Sequence, residues 1–97
     1  MDFSSAQPPT ELSPAQQALW WLKKGKFSFG PEWQAAHQIC QQQEGARDYD
    51  LVHALAHWIE GDVGNRDYWY RRISGWKRAE TIEGEWDNAW RELGRGT

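Results

Sequence analysis

Apolar residues recur along this chain at helical spacing in five runs, separated by short stretches rich in glycine and polar residues. The first run is Ala15, Ala18, Leu19 and Leu22. Ahead of it, Ser13-Pro14-Ala15-Gln16 puts a hydroxyl at the N-cap, proline at the first helical position and a glutamine where it can bond back to the cap. Lys23 and Lys24 suit the C-terminal dipole, and Gly25 is expected to take the left-handed stop. After a Lys26-Phe27-Ser28-Phe29 loop, Gly30-Pro31 opens a second helix with Trp33, Ala36, His37 and Cys40 on its inner stripe, stopping near Gly45. A third should begin with Asp48 or Asp50 as cap, bury Leu51, Val52, Leu55, Trp58 and Ile59, and end at Gly61. The fourth starts from Asp62 and carries Trp69, Tyr70, Ile73 and Trp76, with Gly75 near its end. The fifth spans residues 79–93, with Ile82, Trp86, Ala89, Trp90 and Leu93 on one face.

No long alternating run marks a strand, and β-branched residues are few, so the expected fold class is all-α with about five helices. Short connections favour antiparallel neighbours, giving stacked hairpins over residues 13–45 and 48–75 and a capping helix over 79–93. Residues 1–12, with Gln7-Pro8-Pro9-Thr10 and almost nothing apolar, are expected to be a mobile tail outside a single domain at 13–94.

Composition changes one part of this picture. Aliphatic residues are too scarce for an ordinary core, but eight Trp can replace them, each burying about 150–250 Å². Trp33, Trp58, Trp69, Trp86 and Trp90 fall on apolar stripes and are the expected core indoles. The lone Cys40 makes no internal disulfide, and neither a leader nor a membrane span is written in the chain, so a cytoplasmic protein is expected. A net charge of −3 argues against general attraction to nucleic acid or anionic membrane.

His53-Ala54-Leu55-Ala56-His57 sets two imidazoles one helical turn apart, and Asp50 and Glu60 extend the same strip. Such a pair can chelate zinc with a carboxylate as third ligand and water as fourth. The strip lies opposite Leu51, Leu55 and Trp58, facing solvent or the next helix. The metalloprotease pattern needs a glutamate directly after the first histidine, where Ala54 stands, and no catalytic motif is found elsewhere. A wider grouping of His37, Cys40, His53 and His57 approaches zinc-finger spacing, but its first pair sits on a helix rather than a hairpin. His37 and Cys40 can still meet His53 and His57 across two packed helices. Otherwise His37 is a hydrogen-bonded core residue, Cys40 a small hydrophobe, and His53 and His57 part of a solvated face.

Trp20 and Trp21 point about 100° apart on their helix, so one narrow stripe cannot bury both. Together with Arg71, Arg72 and Trp76 they form the expected contact set for a protein or peptide partner, since tryptophan beside arginine is hot-spot chemistry. The basic cluster of Arg66, Arg71, Arg72, Lys77 and Arg78 superficially suits single-stranded nucleic acid. Glu80, Glu83, Glu85, Asp87 and Glu92 follow at once, making pairing within the chain the more economical expectation.

The Gly61-Asp62 turn and the Tyr68-Trp69-Tyr70-Arg71-Arg72 segment resemble the turn and second helix of tetratricopeptide-type repeats. Gly25, Gly30 and Gly61 give an offset of roughly 31 to 36 residues, which brackets that repeat's period. Departures stand at Arg66 and Ile73, where the family has small residues. The chain is also similar to small bacterial proteins with a His-x-x-x-His and Tyr-Trp-Tyr-Arg-Arg arrangement. The resemblance implies a non-catalytic, protein-binding helical stack.

Overall fold

A computed structural model describes residues 2–94 of the chain, and Met1 of the expected tail lies outside them. Five helices form: α1 Pro14–Lys24, α2 Pro31–Gln41, α3 Arg47–Glu60, α4 Val63–Arg71 and α5 Ile82–Gly94. The fold is all-α, and among the described residues no helix is long and apolar enough to cross a membrane.

Helix starts follow local chemistry where a side chain can reach the backbone. Ser13 accepts from the Gln16 amide while its own amide donates to Gln16 Oε1 at 2.8 Å, closing the capping box of α1. Asp62 caps α4 through the Asn65 amide at 3.2 Å. The start of α3 departs from expectation. Ala46 is its N-cap, and Asp50 sits inside the first turn, accepting from the Gly45 amide at 2.9 Å. Gly61 closes α3 in the left-handed conformation at φ 87°, but Gly25 does not do so for α1. Gly25 has φ −78°, and the positive angles pass to Lys26 and Phe27. A β-carbon at residue 25 would lie 2.8 Å from Glu32 Cβ, so glycine there serves the approach of α2. Helix α4 ends at Arg71, which leaves Ile73, Gly75 and Trp76 in the connection to α5.

Helix α3 is the centre of the molecule, with α1, α2, α4 and α5 all packed on it. Its residues Leu51, Val52, Leu55 and Ala56 meet Leu19 and Leu22 of α1, Trp33 and Cys40 of α2, and Trp86 and Leu93 of α5 in one core. Helix α5 also packs on α1, where the Trp86 indole donates to the Leu19 carbonyl at 2.7 Å. Trp33 donates to the Ala56 carbonyl at the same distance, so the indole N–H groups of Trp86 and Trp33 are both satisfied. Trp58, Trp69 and Trp90, expected in the core, are only half-buried. Trp20 takes a core place instead, fully buried and donating to the Asp2 carbonyl at 3.1 Å. Residues 2–12 contain no helix, yet Phe3 packs at 5.9 Å from Trp20 and 6.1 Å from Trp86. That contact was not indicated by the polar composition around it.

A three-histidine cluster between α2, α3 and α4

The strip on α3 is covered on both sides. Helix α2 crosses α3 and brings His37 to it, so that His37 Nε2 and His53 Nε2 lie 3.1 Å apart. The turn at Gly61 and Asp62 sends α4 back along α3, and Trp69 stacks on His53 with centroids 4.2 Å apart and planes 20° off parallel. Trp33, one turn before His37, stacks on that imidazole at 4.7 Å and 13°. His53 and His57 stack on each other at 4.8 Å. Ligating atoms of His37, His53 and His57 all lie within 4.8 Å of one another. His53 is 2 % exposed and His57 8 %, which corrects the solvent-facing alternative for this strip.

Hydrogen bonds assign different roles to the three rings. Glu60 Oε2 lies 2.5 Å from His57 Nδ1, a contact in which Nδ1 donates and Nε2 is the ring nitrogen left for another partner. Only one proton serves the His37–His53 contact. If His53 supplies it, His53 Nδ1 is a bare lone pair; if His37 does, His53 Nδ1 carries a hydrogen with no acceptor. Among the described residues, His53 Nδ1 is the buried side-chain polar atom left without a partner. A buried polar atom without a partner costs stability.

Burial, then the neighbouring His57 and His37, pushes His53 down to about 3 from an ordinary 6.5. Burial first and His57 second also lower His37. The folded protein therefore refuses a proton that the unfolded chain accepts between pH 6.5 and about 3. Stability from this group is complete above pH 6.5 and declines as pH falls through that window, by at most ~1.4 kcal/mol per pH unit. Urea titrations of metal-free protein at pH 7.5 and pH 5 should show a lower midpoint at the acidic value, and His53→Gln should shrink the difference.

The remaining candidates divide. Asp50 leaves the strip to accept from Gly45 and to face Arg72, whose Nε is 3.6 Å away. Cys40 is not in the cluster; it lies in the core, where burial, with Asp50 nearby, pushes its thiol well above the ordinary range. Trp20, being fully buried, is a core residue and no partner contact. Trp21 stands edge-on to Trp20 at 5.1 Å, Arg71 is exposed at the end of α4, Arg72 lies over Tyr68 and Trp69, and Trp76 donates to Glu85 at 2.7 Å. These four belong to separate contact networks.

Charge pairing between the basic cluster and α5 also takes another form. Arg66 pairs with Asp67, Arg66 and Arg78 lie over Trp58, and Arg47 pairs with Glu92. Glu85, expected to pair with the basic cluster, is fully buried. It accepts from Tyr70 Oη, Trp76 Nε1 and the Ala79 amide at 2.7, 2.7 and 2.9 Å, fastening the 72–81 connection.

Sequence spacing alone could find His53 and His57, and the α2 stripe could nominate His37. The indole walls were missed, although Trp33 stands one turn before His37 and Trp69 is within reach of a tight α3–α4 turn. Comparison with known proteins returns no matching family model, no matching curated protein and no matching solved structure.

Proposed function

We propose that the protein binds a divalent transition metal, zinc being the first candidate, through His37, His53 and His57. The observation that carries this is the convergence of three imidazoles from two helices, with His37 Nε2 and His53 Nε2 3.1 Å apart. Two nitrogens on one tetrahedral zinc, at about 2.0–2.1 Å each, stand about 3.3 Å apart, close to the spacing found. An all-nitrogen donor set suits zinc, copper or nickel rather than magnesium or calcium, which prefer oxygen. Metal binding requires neutral imidazole, and the depressed His53 and His37 supply it at neutral pH. Glu60, on His57 Nδ1, plays the outer carboxylate that orients a ligating ring.

Calorimetric titration of metal-free protein with zinc should give one equivalent bound. Glu60→Gln should weaken binding by roughly 10-fold or more while leaving one site. Absence of binding by the wild-type protein would end this reading.

A second reading, capture of a protein or peptide by a tetratricopeptide-like helical module, has support from α4, which buries no residue and turns Arg71, Arg72 and Tyr68 outward. Its test is an Arg71→Glu, Arg72→Glu variant, which should lose a captured partner and keep its zinc.

A further inference from the structure

On the premise that the three histidines hold a divalent ion, the charge and donors around them decide what completes its coordination. Three neutral imidazoles neutralise none of the ion's double charge, Glu60 reaches it only through the His57 ring, and His53 and His57 are buried residues. An uncompensated charge in such surroundings is costly, so an anion in the fourth coordination position is favoured.

Four of the protein groups that could supply that anion are engaged in other contacts. Glu60 holds His57 Nδ1, the nitrogen on the other side of the ring from the free Nε2. Asp62 accepts from the Asn65 amide at 3.2 Å and from Asn65 Nδ2 at 2.7 Å as the cap of α4. Cys40, one turn beyond His37, lies in the core, and its burial opposes the thiolate a metal needs. Asp50 is taken by Gly45 and Arg72.

Access is one-sided. Trp33 and Trp69 lie flat on His37 and His53 and close two sides to anything bulky. His37 is only half-buried and the Glu60 side chain is 24 % exposed, so the opposite edge meets solvent. Three protein ligands plus an exchangeable fourth is the open arrangement of zinc sites, distinct from the closed four-ligand sites that only hold a fold together.

We infer that the loaded centre keeps one exchangeable position that takes a small monovalent anion, such as hydroxide from its own bound water or a short carboxylate. In the absence of an added anion, water in this position loses a proton near neutrality, because the metal stabilises the hydroxide.

Cobalt(II) loading of the full chain tests this, with the visible spectrum as readout and sodium azide and sodium acetate as probes. The expected result is a saturable spectral shift with one azide or acetate bound per cobalt, and a pH-dependent shift when both are absent. A cobalt spectrum insensitive to azide, acetate and pH would mean that the protein fills the fourth position; the inference would fall while metal binding stood. If Glu60→Gln then made such a site responsive, Glu60 would be identified as the fourth ligand, which also overturns the inference. Failure to bind cobalt at all would remove both the inference and the metal reading beneath it.

Discussion

His53→Ala should lower zinc affinity by about 100-fold or more, the largest loss of any single substitution in the cluster. His53 is the ring that touches both other histidines and the Trp69 wall. Its Nε2 meets His37, its faces meet Trp69 and His57, and it comes from the central helix. Without it, His37 on α2 and His57 on α3 remain as two ligands, too few for a stable site. Cys40→Ser is the internal comparison and should leave affinity unchanged, because the thiol points into the core. Paired titrations of the two variants, with helix content checked by circular dichroism, read the contrast directly. Equal losses in both would place sulfur in the site; no loss in either would reduce the histidines to packing residues.

Glu85→Ala should destabilise the protein by about 3–5 kcal/mol, a large fraction of the stability of a domain this small. The side chain is fully buried, and its removal strands the Tyr70 hydroxyl, the Trp76 indole N–H and the Ala79 amide together. Burial, followed by the Glu85 charge, already pushes the Tyr70 hydroxyl far above its ordinary range, so Tyr70 remains a donor throughout the accessible pH span. Glu85→Gln keeps the volume but turns one acceptor into a donor facing a donor, and should cost about 1–3 kcal/mol. Chemical denaturation at neutral pH measures both. A loss below about 1 kcal/mol for the alanine variant would show that the 72–81 connection is held by other contacts.

These two sites were legible in the sequence to different degrees, for a physical reason. The α3 pair follows from helix geometry alone: four residues make one turn, so His53 and His57 share a face whatever surrounds them. The caps at Ser13 and Asp62 and the stop at Gly61 are equally local, set by which side chain reaches which backbone group. What packs over a face is not local. Whether the histidine strip meets solvent depends on the course of α2 and α4, and only that course brings His37, Trp33 and Trp69 to it.

Glu85 shows the same limit from the other side. In a run of acids before and after it, nothing in the sequence separates the carboxylate that turns inward from those that stay outside. Its partners lie 15, 9 and 6 residues away, Tyr70 near the end of α4 and Trp76 and Ala79 in a connection with no periodic pattern of its own. Gly25 and Asp50 were misplaced because each answers a tertiary contact, Glu32 of α2 for one and Gly45 with Arg72 for the other.

X-ray absorption at the zinc edge of the one-equivalent complex reads directly whether His37, His53 and His57 all ligate the ion. The expected spectrum has a first shell of nitrogen and oxygen at about 2.0–2.1 Å, outer-shell scattering from three imidazoles, and no sulfur. A zinc–sulfur distance of about 2.3 Å, or fewer than three imidazoles around the ion, would contradict it.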